Sequence, residues 1–185
     1  MSFDDELLLS DIWTVYHHAS SDDNWTMSSY ERLGDVSSAE DCHRHCEHIG
    51  RHVEDNMVFV MRGDIAPVWD DPANLNGCIA SVKVPKADVR DAFVGAFRHL
   101  VNESVLADDG DGGLVNGISC SPKLRFCVIK VWLSDRTFRD AKRLFFVADR
   151  TFRPEEVAFK DNIDNISVDQ MRRTAPAEEA VARRR

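Results

Sequence analysis

Residues 65–74 read Ile-Ala-Pro-Val-Trp-Asp-Asp-Pro-Ala-Asn and set Trp69 directly before two carboxylates, Asp70 and Asp71. Pro67 and Pro72 fix their own φ and push the residues before them toward extended geometry. The indole and its neighbouring acid are therefore predicted on a semi-rigid loop. An indole face offers a negative quadrupole, and a carboxylate accepts N–H donors. Together they suit a planar ligand that is cationic on its face and rich in donors along one edge. A methylated guanine base is such a ligand. The competing reading is an Asp-Asp-Pro surface turn whose Trp anchors it to the core.

A second group with chemical potential is Cys42, His43, His45, Cys46 and His48. Cys42 and Cys46, four residues apart with His45 between them, share a helix face and have zinc-ligand chemistry. The alternative makes Cys42, Cys46 and Ile49 the small apolar stripe of a helix, with the histidines solvated. A structural zinc site draws ligands from two elements, and no second Cys/His pair stands nearby in sequence, so no metal is assigned. The acidic stretch 108–113 lacks the ligand alternation and terminal Glu of a calcium hand and reads as a loop. A hydrolase using Asp70 and Asp71 with His17 or His18 would need a nucleophile elbow, a phosphate loop or a metal triad. None accompanies them, so no enzyme is expected.

The whole chain narrows these options. A length of 185 residues fits one domain, 11–166, between flexible ends at 1–10 and 167–185. It is long enough to bury about 70% of its unfolded surface. With 43% hydrophobic and 30% charged residues it has the composition of a soluble globular protein. The net charge of −9 argues against broad backbone-driven nucleic-acid binding, yet permits a grip on one nucleotide end through a few local cations. The five cysteines are odd in number and lie within or beside apolar runs. With no signal peptide ahead of Trp13, they are expected as reduced thiols in the cytoplasm or nucleus. No apolar run reaches the 18 or so residues of a membrane span.

The elements that must position these residues follow from patterning. Residues 12–18 read as a strand, and 29–36 as a weaker one. Ser37-Ser38-Ala39-Glu40 carries a capping signature, predicting a helix from Ser38 to about His52. Residues 57–61 form a short buried strand, turned by Gly63-Asp64. Asn76-Gly77 marks a tight turn before a strand at 78–84. Asp88 caps a helix whose stripe is Val89, Phe93, Phe97, Leu100, Val101 and Val105. Residues 114–120 and 124–133 read as a hairpin around Ser121-Pro122-Lys123. A third helix is predicted over 135–148, with Phe138, Ala141, Leu144 and Phe145 inward, and a last strand over 156–159. The sum is an α+β fold, a sheet covered by helices on one face.

Taken in order, Trp13 stands in the opening strand and Trp25 closes the next loop. Gly-Asp-Ile-Ala-Pro-Val-Trp-Asp-Asp-Pro-Ala-Asn follows at 63–74, then Val115-Asn116 before a hairpin closing on Ile129-Lys130-Val131-Trp132. This series, over about residues 13–162, resembles the eukaryotic translation initiation factor 4E family, the mRNA cap-binding proteins. The resemblance implies a single curved antiparallel sheet with about three helices on its convex face and a ligand slot on the concave side. It implies a monomeric, non-enzymatic module without cofactor, acting in translation on the 7-methylguanosine cap.

By resemblance, Trp25 and Trp69 sandwich the methylated base, each ring face adding about 0.5–2 kcal/mol of cation–π attraction. Asp70 takes the guanine N1–H and amino donors, where the family usually has the longer Glu. Trp132 corresponds to the Trp near the N7-methyl group, either lining that pocket or forming core at a strand end. Cap phosphates fall to Lys130, Lys123 and Arg125, because Asn76-Gly77-Cys78 offers no Arg and Ile118 or Ser119 stands where a hairpin Arg is expected. Alternation puts Lys130 and Trp132 on one face and Arg125 on the other. Weak phosphate binding is the expectation. The family's partner face, which receives a helical motif of scaffolds of the initiation factor 4G type, falls at Ala39, His43 and Gly95. These are smaller or more polar than the family's Val, Trp and Leu, so partner docking is expected to be altered. The lost arginines also favour an alternative, an adaptor of the same fold that works mainly through protein partners on its helical face.

Overall fold

In a computed structural model the described residues are 7–107 and 113–167. Residues 1–6, most of the predicted acidic loop (108–112) and the tail from 168 lie outside them. Alternating apolar and polar side chains build seven strands: β1 (Leu8–His18), β2 (Glu31–Ser38), β3 (Met57–Arg62), β4 (Cys78–Pro85), β5 (Val115–Pro122), β6 (Phe126–Leu133) and β7 (Ala158–Asp161). They form one curved antiparallel sheet in the order β2-β1-β3-β5-β6-β4-β7, the α+β architecture expected.

Helices α1 (Ala39–His52) and α3 (Val89–Val101) pack together on one face of the sheet. Ile49, Phe93, Phe97 and Leu100 meet Trp13, Val15, Val58, Val60, Ile118 and Val131 there in the main core. The other face carries a smaller apolar cluster of Tyr16, Met57, Phe59, Met61, Ile79 and Trp132. β3 is covered on both faces, which is why Met-Val-Phe-Val-Met shows no alternation. The start of α1 follows its capping signature: Ser38 Oγ accepts from the Asp41 N–H at 3.2 Å. Asp41 in turn accepts from the Ser37 N–H and hydroxyl, each at 3.1 Å, and those donors hold its carboxyl below the usual range.

Several elements differ from the sequence reading. β1 begins at Leu8 rather than Ile12, because Leu8 pairs with Ser38 and the Leu7 carbonyl accepts from the Ala39 N–H at 2.9 Å. β2 lies two residues later than expected. α3 stops at Val101, leaving Val105 buried but outside it. The β5–β6 turn is Lys123-Leu124-Arg125, with Ser121 and Pro122 inside the strand. The helix predicted over 135–148 does not form as one element. Asp135 caps Thr137 N–H at 2.8 Å and Asp140 caps Lys142 N–H at 3.0 Å, local bonds that compete with helix continuation. An isolated bridge between Leu106 and Leu144 keeps the chain extended, so only a 3-10 turn at Ala141–Arg143 and the single turn α4 (Phe145–Ala148) remain. A 3-10 turn at Pro154–Glu156 likewise delays β7.

Cys42 and Cys46 are half-buried against the main core, as the stripe reading has it. Burial and the neighbouring Cys46 push the Cys42 thiol up to about 11. His45 is buried rather than solvated, and burial lowers its pKa. Among the described residues no group of three His, Cys, Asp or Glu is arranged to hold a metal ion, and no helix is long and apolar enough to cross a membrane.

Candidate functional site

On the face opposite α1 and α3, even-numbered positions of β1 and odd-numbered positions of β3 project rings that run into one another. Trp25 stacks on His18 (4.5 Å between centroids, 4° between planes), and His18 touches Tyr30 at 4.7 Å. Tyr30 meets Phe59 edge-on at 5.4 Å, and Phe59 meets Trp132 at 6.4 Å. Trp132 is stacked under Trp69 at 4.3 Å and 16°. An unbroken path of rings thus joins the two indoles singled out in the sequence, across four strands of sheet width. Trp25 and Trp69 are not stacked on each other: each has one face laid on a ring of the protein.

The loop before α2 (Pro72–Leu75) is fixed by buried polar side chains. Asp71 accepts from the Ala66 N–H at 3.0 Å and from the Ala73 N–H at 2.9 Å, closing the turn and capping α2. Asn74, fully buried, donates to the carbonyls of Ala66 (3.0 Å) and Val68 (2.9 Å), on either side of Pro67. Asn116 on β5 donates to Ala73 O and Asn74 Oδ1, and Asn162 donates to Asn74 O at 2.6 Å. Of the two carboxylates, Asp71 is therefore part of the scaffold, while Asp70 is exposed. The semi-rigid loop read from the prolines is rigid for this additional reason.

Trp25 is held otherwise. Its loop is a run of short-range bonds: Asn24 N–H to Asp22, Thr26 N–H to Asn24 Oδ1, and the Ser29 hydroxyl to the Asn24 carbonyl at 2.6 Å. His18 Nε2 lies 2.8 Å from that same carbonyl, so this nitrogen carries the proton. Its Nδ1 is buried with no hydrogen-bond partner. The ring beneath Trp25 is thus placed by its Nε2 contact with the Asn24 carbonyl.

Trp132 is 1% exposed, and its Nε1–H donates to Ser119 Oγ at 2.9 Å. The structure makes it the backing of Trp69 rather than an open wall of a methyl pocket. Lys130 joins this group: its Nζ lies 5.5 Å from the Trp69 ring centroid and donates to Ser121 Oγ at 3.1 Å. Lys123 and Arg125 sit exposed in the hairpin turn around Leu124 and are not brought to the rings. Ala39 and His43 are exposed on α1, and Gly95 is half-buried on α3 with open space around it. Gly77 closes the Trp69 loop in a crowded place, where a Cβ would stand 2.0 Å from Leu133 O and 3.1 Å from Asn74 O. A side chain cannot be accommodated at the turn that resemblance would give an Arg.

Sequence reasoning missed His18, Tyr30 and Phe59 as paving and Asn74, Asn116 and Asn162 as staples. The parity of Tyr16 and His18 on one strand face was the available signal for the first group. The asparagines meet across 42 and 88 residues of chain and leave no local mark.

The sequence profile of the family described as "Eukaryotic initiation factor 4E" matches residues 8–173. A curated relative, the eukaryotic translation initiation factor 4E homolog of Acanthamoeba polyphaga mimivirus, is 29% identical over 70 residues. That match covers 38% of this chain and spans about a quarter, 26%, of the viral protein. Among solved structures, C. elegans initiation factor 4E-3 in complex with the 4E-binding protein Mextli and a cap analog superposes with a TM-score of 0.75 at 17% identity, covering 88% of this chain and 96% of that one. A schistosome initiation factor 4E complexed with m7GpppA and 4E-BP superposes with a TM-score of 0.70 at 21% identity, covering 89% and 92%. With the profile running through nearly every described residue and the same sheet beneath it, the chain belongs to the eukaryotic initiation factor 4E family.

Proposed function

We propose that this protein binds the 7-methylguanosine 5′ cap of mRNA on its concave face and acts, without catalysis, in translation initiation or its regulation. The observation that carries this reading is the pair of indoles, Trp25 and Trp69, each backed by a ring and joined by an aromatic path. A backed indole presents one fixed face, and a base made cationic by N7 methylation gains on such a face what plain guanine does not. The free faces of Trp25 and Trp69 take the base, exposed Asp70 reads its N–H edge, and Lys130, beside Trp69, meets the first phosphates. Lys123 and Arg125 contribute only at long range. Trp132 sets the height of Trp69 under the methyl group. The relatives solved with cap analogs support the ligand class.

A protein partner on the helical face is the second part of the proposal, since relatives are solved with 4E-binding proteins. Here the α1/α3 surface at Ala39, His43 and Gly95 lacks a large apolar anchor, so the partner must supply its own bulk to the space over Gly95.

The test is retention on a 7-methylguanosine matrix together with quenching of tryptophan fluorescence by 7-methyl-GTP. Wild-type protein is retained and quenched, Trp69→Ala loses both while keeping its circular dichroism, and GTP quenches at least a hundredfold less well. Equal quenching by GTP overturns the reading. The adaptor alternative is favoured by one observation, that the Trp69 turn has no room at Gly77 for a phosphate-binding Arg. It predicts no quenching by either nucleotide with partner capture intact.

A further inference from the structure

The net charge of the chain is −9, yet the ligand-side positions of β4, β6 and β7 carry lysines and no carboxylate. Ile79 and Trp132 belong to the apolar cluster of that face, so alternation turns Ser81 and Lys83 of β4 and Val128 and Lys130 of β6 the same way. Lys83 Nζ lies 5.3 Å over the Phe126 ring, consistent with that facing. On β7, Phe159 packs on the main core, so Ala158 and exposed Lys160 face the ligand side. The acid of these strands, Asp161, points to the other face and pairs with Arg139. Lys83, Lys130 and Lys160 are left on this surface with serines and no carboxylate from β4, β5, β6 or β7.

Register sets their spacing. Lys160 lies in the cross-strand row Trp132–Ile79–Lys160, Lys130 in the next row opposite Ser81, and Lys83 one row further, opposite Val128. From strand separation and rise, the Lys130 and Lys83 backbones are about 8 Å apart, about one Debye length at physiological salt. Their fields therefore add on an anion lying between them. The patch begins beside Trp69 and leads away from it over β4 and β7. It is continuous with the proposed nucleotide slot, not a separate surface.

We propose that Lys83 and Lys160, with Lys130, contact the phosphodiester chain of the nucleotides that follow a 5′-terminal base held at Trp69. The inference rests on the slot reading above and adds residues that the sequence resemblance does not supply. It accounts for how a chain with no Arg at its Trp69 turn, and no room for one at Gly77, holds the anionic part of its ligand. Flexible ammonium groups on a sheet surface read charge without base identity, so the contact is sequence-independent.

The experiment compares wild type with K83A/K160A by titrating a capped RNA ten-mer, its uncapped 5′-triphosphate form and 7-methylguanosine nucleoside over a range of salt. Both lysines are exposed, and K83R/K160R serves as the charge-preserving control. The expected result is that K83A/K160A lowers the slope of log affinity against log salt for RNA by about 1.4, at about 0.7 per phosphate contact. Nucleoside binding stays within twofold, and the arginine control restores the slope. An unchanged slope, or an equal loss for the nucleoside, overturns the proposal. The uncapped RNA separates the two readings: if wild type binds capped and uncapped forms alike, the slot reading fails, while the slope difference still reports on the lysines.

Discussion

Two indoles stand at the ends of one ring path, and the chain holds them by opposite means. Trp69 sits on a loop whose Ala66 and Val68 carbonyls are held by Asn74, which is itself tied to Asn116 and Asn162, 42 and 88 positions away in sequence, all three asparagines being buried. Trp25 sits on a loop held mostly by exposed bonds spanning two to five residues, and stacks on His18, whose Nε2 reaches the Asn24 carbonyl. Long-range buried bonds break only when the fold opens, whereas short exposed ones exchange with water. In the slot proposed above, Trp69 is therefore the fixed jaw and Trp25 the adjustable one. A slot with one fixed side keeps its register while the other side closes on the guest, which limits the ordering cost of binding to a single loop.

That contrast is open to attack, most severely at Asn74. Asn74→Ala leaves the half-buried Ala66 and Val68 carbonyls without their donor and takes one of its two acceptors from the Asn116 amide, a loss of about 3 kcal/mol. The urea midpoint should fall accordingly, and quenching by 7-methyl-GTP should weaken with it. A folded Asn74→Ala protein whose cap affinity is unchanged would mean that the fixed jaw is not fixed by this staple. His18→Ala should cost less, about 1–3 kcal/mol, by removing the stacked ring and leaving a small void. Its effect on cap affinity should exceed its effect on loop 65–77, read by hydrogen exchange. His18→Phe keeps the stack and discards the unpartnered Nδ1, so it should retain most of both. Ser29→Ala is the mildest, about 1 kcal/mol or below, because Nε2 of His18 still donates to the Asn24 carbonyl. Faster off-rates for cap analog without a stability change are expected from it by stopped-flow fluorescence.

The same contrast marks what could be read from the sequence. Strands, the capped α1 and the striped α3 obey short periods, and each stood within a few residues of its predicted place. The Trp69 motif announced its rigidity through Pro67 and Pro72. What holds it, the Asn74–Asn116–Asn162 contact, exists only after β5 and β7 have been laid beside the loop. Trp132 stood at the methyl pocket by resemblance, with strand-end core as its alternative; that Trp69 lies flat upon it is a tertiary fact. The 135–148 stretch failed for a local reason: Asp135 and Asp140 cap short turns more readily than they sit inside a helix. His45 failed for a tertiary one, being turned inward against Gly34, whose φ of +142° is a conformation that favours glycine.

Gly77 carries a lesson for anyone redesigning this scaffold. With a neighbouring carbonyl standing where the first carbon of any side chain would go, a guanidinium cannot be retrofitted at this turn without re-laying the junction of β4 and β6. Gains in grip on the anionic end of a ligand must come instead from the lysine-bearing floor or from exposed Asn76 next door, and Gly77 itself stays off limits to substitution.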